Sequence, residues 1–336
     1  MIPRPYLLYL GHSDDEIGIK TSRGLATFRP EDCVGEFRHD DCPLTLGVQR
    51  LSLAEASAGG ARTLVLGITN AGGTLAEDLI DDALAAIALG MNVAAGLHQR
   101  LRDDPRLVQA AKAANVALFD VRDPPSSLKV GDGAKRPGRR LLTVGTDCSV
   151  GKMVTTLFLQ RSLRDRGVAA DFRATGQTGI LIEGSGVPLD AVVADFISGA
   201  VEALSPGRED DGWDLIEGQG SLFHPSFAGV STGLLHGAQP DALILCHDPS
   251  RPHMRGLPHY PMPDIAECLE ANLTVARLTN PDVRAVGIAL NTSKLEAEQA
   301  QALCSSTADR LGLPCADPFR VGADVLADGV IACFGR

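Results

Sequence analysis

One stretch constrains this fold more than any other. Leu141-Leu142-Thr143-Val144 reads as a buried strand and runs directly into Gly145-Thr146-Asp147-Cys148-Ser149-Val150-Gly151-Lys152, after which residues 152–166 carry helical spacing. Strand, glycine-bounded loop, lysine and helix in that order make a phosphate-binding loop. The glycines let the backbone curl so that successive N–H groups point inward at an anion. The helix N-terminus adds a partial positive charge, and Lys152 adds a full one. A plain tight turn would satisfy the same spacing without the lysine and its flanking elements.

Two departures qualify the motif. Five residues separate Gly145 from Gly151 rather than four, and that spacing is similar to the G-T-D-x-x-V-G-K loop of dethiobiotin synthetase and its relatives. Met153 follows Lys152 where a nucleotide hydrolase carries Ser or Thr to ligate magnesium. Thr155 and Thr156 lie further around the helix. The loop can hold a pyrophosphate, but γ-phosphoryl transfer lacks its metal hydroxyl. The pattern favours a ligand whose phosphates are a handle rather than the reacting group, held by Gly145 through Met153.

Composition narrows the class. A chain of 336 residues suggests about two domains. A formal charge of −11 and 4% aromatics argue against a basic or base-stacking nucleic-acid surface. No apolar run reaches the ~20 residues of a membrane span, and the N-terminal apolar stretch is too short and too soon acidic for a signal peptide. A cytoplasmic, homo-oligomeric enzyme acting on small molecules is the starting expectation. The eight cysteines are scattered singly without a C-x-x-C pair, as small buried residues in a reducing compartment.

The chain reads as two α/β units. Strand candidates at 6–11, 63–67, 92–97 and 116–121 alternate with helical runs at 75–89 and 105–114, which implies parallel βαβ units. Residues 20–53 read as irregular. Residues 122–140, rich in Pro, Gly, Ser and basic side chains, read as a linker. Its cluster Lys135-Arg136 and Arg139-Arg140 is read as solvated charge, or else as an edge that attracts an anion. The second half carries strand candidates at 140–144, 169–174, 213–217, 242–246 and 285–290, with helical patterns at 152–166, 265–278 and 295–311. The expected division is 1–125, a linker at 126–139, and 140–336.

Ligands of open parallel sheets bind beyond the carboxyl ends of the strands. That rule selects Arg173 with residues 175–179, including Gln177; Glu217-Gly218-Gln219-Gly220-Ser221 with His224; His247-Asp248 with Arg251, His253 and Arg255; and Asn291-Thr292-Ser293. Asp195 sits in a helical stretch that can face the same cleft. Acyl transfer, the chemistry that the family resemblance given below implies, needs a base and oxyanion donors. Glu217 or His224 is the candidate base, with Asp195 behind them. Gln177 and Gln219 are candidate donors. Arg173, Arg251 and Arg255 suit carboxylates. The histidines lack the i, i+4 spacing of a zinc site, so no metal is expected. In the first half, Asn70–Gly73 and Gly96-Leu97-His98 also follow strands, either facing the phosphate loop across a cleft or serving as turns.

Several stretches together resemble one family: residues 20–38 (KTSRGLATFRPEDCVGEFR), GITNAGG, GLHQRL, LLTVGTDCSVGKM, DFRATGQTG, VADFISGA, DLIEGQGSLFHPSFAGVS, LLHGAQPDA and CHDPSRPHMRG. They look like the D-glutamate N-acetyltransferase family. The resemblance implies an N-terminal Rossmann-like domain, a C-terminal P-loop NTPase-like domain with a mostly parallel sheet, and acetyl transfer from acetyl-CoA to the amine of D-glutamate or a similar amino acid. An ATP-dependent ligase like dethiobiotin synthetase and a non-catalytic nucleotide sensor are the alternatives. A nicotinamide enzyme is disfavoured, since no G-x-G-x-x-G follows a strand in the first half.

Overall fold

Short apolar strands buried on both faces need helices on either side, and the computed structural model, which describes residues 2–68 and 75–335, shows two such sheets. The first sheet holds β1 (Tyr6–Gly11), β2 (Cys33–Arg38), β3 (Thr63–Leu66), β4 (Asn92–Ala95) and β5 (Leu118–Asp120) in the order β2-β1-β3-β4-β5. All its pairings are parallel. β1 is buried along its whole length. The helix Glu77–Ala88 packs Leu79, Ile80, Ala83, Ala86 and Ile87 into the same core as Leu64, Leu66 and Val93. The helix Pro105–Ala114 begins where expected. Pro105 opens it, and the Asp104 carboxylate accepts from the Arg106 and Leu107 N–H groups.

Residues 20–53 are corrected by the structure. They contain a helix at Lys20–Phe28 and the strand β2, and a short helix, Leu53–Ala58, begins at their end. The first helix has no side-chain N-cap and carries Gly24, so its local signal is weak. Packing sustains it: Thr21, Ser22, Gly24 and Leu25 are buried.

The second sheet holds β6 (Arg139–Gly145), β7 (Ala170–Arg173), β8 (Trp213–Ile216), β9 (Ala242–His247), β12 (Arg284–Leu290) and β13 (Cys315–Ala316). A separate antiparallel hairpin pairs β10 (His253–Met254) with β11 (Leu257–Pro261). The sheet order is β13-β12-β9-β6-β8-β7, again parallel throughout. β6 therefore runs between β8 and β9 and delivers the glycine loop at the middle of the sheet. The helices Ala228–Ala238 and Asp324–Phe334 are additions that the sequence periodicity did not mark.

The chain divides into two compact units. One comprises the chain up to Pro124 together with Gly176–Pro188; the other comprises Pro125–Thr175 and the chain from Leu189 onward. The inserted piece opens with the helix Gln177–Glu183. Within the first unit, Thr178 and Thr21 join hydroxyls at 2.7 Å, and Arg29 Nε donates to the Ile182 carbonyl at 2.9 Å.

Two further readings change. Arg140 is not solvated: it is 1% exposed, and its guanidinium donates to Ser205 Oγ and to the carbonyls of Arg136, Pro137, Gly138 and Pro206. Arg136 likewise donates to the Ser205 and Gly237 carbonyls. Lys135 keeps its exposed position. All eight cysteines are free, yet only Cys42, Cys246 and Cys268 are buried; Cys333 is exposed.

Candidate functional site

The loop between β6 and the helix Lys152–Asp165 has the left-handed turns that an anion cradle needs. Ser149 has φ +54° and Gly151, the residue capping the helix, has φ +103°. Among the described residues, the N–H groups of Ser149, Val150, Gly151, Lys152 and Met153 make no hydrogen bond. Five successive donors at a helix N-terminus are a nest for a phosphate group. The Cys148 N–H is excluded from it, because it donates to Asp147 Oδ1 at 2.7 Å.

Lys152 itself is buried, 6% exposed, and its ammonium donates to the carbonyls of Asp147 and Gly220, each at 2.8 Å. Burial pushes the ammonium below its ordinary pKa. Thr155 and Thr156 turn inward and do not replace the missing metal hydroxyl. Thr156 Oγ1 donates to the Lys152 carbonyl, so its own lone pair accepts from Thr143 Oγ1 at 3.0 Å. Thr143 Oγ1 in turn accepts the Gly218 N–H. Thr155 accepts from Cys246 Sγ. Met153, half-buried, offers no oxygen ligand.

The segment after β8 packs tightly on the loop. A Cβ at Gly218 would stand 1.7 Å from the Thr143 carbonyl oxygen, so only glycine fits there. Ser221 Oγ donates to the Thr146 carbonyl at 3.0 Å. This brings Glu217 to the carboxyl end of the sheet, 5% exposed. Its Oε2 accepts from the Thr175 N–H at 3.0 Å and its Oε1 from Gln219 Nε2 at 3.2 Å. Gln219 Nε2 also donates to Thr175 Oγ1. His224 is buried, and its Nδ1 accepts the Ser226 N–H at 3.1 Å. That bond leaves the ring proton on Nε2 in the neutral form, making this edge a donor.

Asp147 organises the other rim. Its carboxylate is fully buried and receives Arg251 Nη1 at 3.0 Å and the Arg255 N–H at 2.7 Å. Arg251 also donates to the Cys148 carbonyl and lies 3.2 Å from Asp248. The Arg255 guanidinium donates to Ser149 Oγ at 2.7 Å, and both side chains are exposed. His247 Nδ1 bonds Thr146 Oγ1 at 2.9 Å, and burial pushes the imidazole down to about 4.

The structure thus gathers Gly145 through Lys152, Glu217, Gln219, Arg251 and Arg255 around one loop. Among the described residues, Arg173, Asp195 and Thr292 make no hydrogen bond to this loop. Arg173 is turned to Asp214, with Nη2 at 2.9 Å, in an ion network with Arg208. Gln177 starts a helix of the first unit, where its side chain meets Gly96. Asp195 lies exposed on the single turn Ala194–Phe196. Thr292 is bound to Asp317. His98 is exposed, and Asn70–Gly73 lies outside the described residues. Among the described residues, no three His, Cys, Asp or Glu side chains form a metal-ligand set, and no helix is long and apolar enough to cross a membrane. Sequence reasoning placed Asp147 only among generic loop residues. Its role as the buried staple for Arg251 and Arg255 depends on contacts across a hundred residues.

Comparison with known proteins follows this geometry. Residues 33–124 match a family model described as the DUF1611_N Rossmann-like domain, and residues 129–327 match the DUF1611_C P-loop domain. A protein of Pseudoalteromonas named D-glutamate N-acetyltransferase is 50% identical over 323 residues, which is 96% of this chain and 97% of that protein. A protein of Tritonibacter scottomollicae with the same name is 48% identical over 99% of this chain and 100% of its own length. The crystal structure of a DUF1611 family protein from Anabaena variabilis superposes with a TM-score of 0.90 at 35% identity, covering 98% of this chain and all of that one. With its two halves matched in order and its relatives aligned nearly end to end, the chain belongs to the DUF1611 family.

Proposed function

We propose that this chain is an acyltransferase that moves the acetyl group of acetyl-CoA to the amine of D-glutamate, a step of amino-acid catabolism in the cytoplasm. The observation that carries the reading is the row of five N–H groups at Ser149–Met153, unpaired among the described residues and joined by the buried Lys152 ammonium, in a loop that lacks a magnesium hydroxyl. Such a cradle suits the pyrophosphate of CoA, which is bound but not broken. The relatives named for this activity support the same conclusion.

The chemistry is then an attack of the neutral amine on the thioester carbonyl. The new C–N bond forms, the C–S bond breaks, and the proton lost by the amine ends on the leaving thiolate. Glu217 is the proposed proton acceptor, because it is buried at the strand end and fixed by two donors. His224 presents its protonated edge and is the weaker base. Gln219 is the proposed donor to the developing oxyanion, which it reaches by giving up its bond to Thr175 or to Glu217.

The test mixes the protein with acetyl-CoA and a panel of D- and L-amino acids and follows free thiol. Thiol release with D-glutamate supports the reading. No release with any amino acid, together with magnesium-dependent ADP formation from ATP, would replace it with the ligase chemistry that the loop spacing resembles.

A further inference from the structure

We infer that Arg255 reads a second phosphate on the ligand, the one attached to the ribose of the CoA nucleotide, and so sets specificity for 3′-phosphorylated CoA. The inference rests on the acetyl-CoA reading and names a part of the same site.

Two arginines reach the loop from the segment leading into the β10–β11 hairpin and from the hairpin itself, and they are not equivalent. Arg251 is committed to the protein: its guanidinium meets Asp147, the Cys148 carbonyl and Asp248. Arg255 is fixed at its backbone and free at its head. Its N–H is held by the buried Asp147 carboxylate, and among the described residues the guanidinium has one hydrogen bond, from Nη1 to Ser149 Oγ. No carboxylate pairs with this guanidinium among the described residues. An exposed arginine ordinarily gains little from standing over a loop of like polarity, so its placement calls for an anion.

The phosphates of the ligand decide which anion. Ser149 is the first residue of the unpaired N–H row, and the guanidinium bonds its side-chain hydroxyl. A pyrophosphate in the nest is served by the N–H row and by Lys152. Among the described residues, the Arg255 guanidinium bonds the Ser149 side chain and no main-chain oxygen of the loop, so its remaining donors are not needed by the loop. A planar fork with four N–H donors remaining matches a phosphate monoester bidentately. Acetyl-CoA carries one such group besides its pyrophosphate, on the ribose. A hydrogen-bonded charge pair of this kind is worth about 10- to 100-fold in affinity.

The experiment compares kcat/KM for acetyl-CoA and for acetyl-3′-dephospho-CoA in the full-length protein. The wild type is expected to prefer acetyl-CoA by about 10-fold or more. In Arg255→Gln the preference should fall to about threefold or less, and Arg255→Lys, which keeps the charge and loses the fork, should lie between. Because Arg255 is exposed, the variants are expected to fold, and a circular dichroism melt checks this. A wild type indifferent to the 3′-phosphate, or a preference unchanged in Arg255→Gln, overturns the inference while leaving acetyl transfer intact. Failure of both donors with every amino acid overturns the acetyl-CoA reading itself.

Discussion

Lys152 donates its ammonium to the Gly220 carbonyl at 2.8 Å, so the lysine of the phosphate loop also pins the segment that carries Glu217. Replacing it by methionine removes both the charge and that tether. Lys152→Met is expected to raise KM for acetyl-CoA by about 10- to 100-fold. It should also lower kcat with acetyl-pantetheine, a donor without phosphates. Steady-state kinetics with the two donors checks this. If acetyl-pantetheine turnover is untouched, the lysine serves the phosphates alone.

Gly218 sits where a side chain has no room, against the Thr143 carbonyl and the Lys152 stem. Gly218→Ala must displace backbone from backbone, and the expected loss is about 2 kcal/mol or more. Urea denaturation measures it. A midpoint equal to wild type would show that β6 and the segment after β8 part easily.

Glu217→Gln keeps the shape of the side chain and removes its basicity. The expectation is a fall in kcat of about 100-fold and a stability loss of about 1–3 kcal/mol, because the new amide NH2 must face one of the two donors that the carboxylate accepts. His224→Asn is the companion variant. If it alone loses turnover, the proton passes to the imidazole rather than the carboxylate.

Burial holds His247 at about 4, against an ordinary value of 6.5. The unfolded chain takes this proton near pH 6.5, whereas the folded chain resists it until about pH 4. Between those values the unfolded state binds more protons, so stability is full above pH 6.5 and declines as the pH falls towards 4, by up to about 3 kcal/mol. Denaturant midpoints from pH 7 to 4.5 should fall more steeply for the wild type than for His247→Gln. Parallel slopes would assign the decline to other groups.

The centre of the second sheet was readable in the sequence because its signals are local. Gly145 through Lys152 carry their meaning in their spacing, and Glu217 and Gln219 follow a strand with glycines between them. What escaped depends on contacts distant in the chain. The helix Lys20–Phe28 has neither a cap nor strong propensity and stands through its packing. Arg140 looks like one of a run of surface charges until five oxygens from residues 136–138 and 205–206 surround it. Arg173 follows the rule for strand ends, yet its long side chain folds back to Asp214. Strand position locates a backbone, and the reach of a guanidinium is decided by the carboxylates nearby.

The excursion of Gly176–Pro188 bears on any attempt at dissection. The hydroxyl pair Thr21–Thr178 and the Arg29–Ile182 bond join residues that no short contiguous fragment contains. A polypeptide stopped near Pro124 would leave one flank of the Lys20–Phe28 helix bare, and one begun at Pro125 would carry an orphaned helix with its natural mate missing. Neither half is therefore a self-sufficient piece, and a split version of this protein would have to regain activity by recombining both fragments in the same tube.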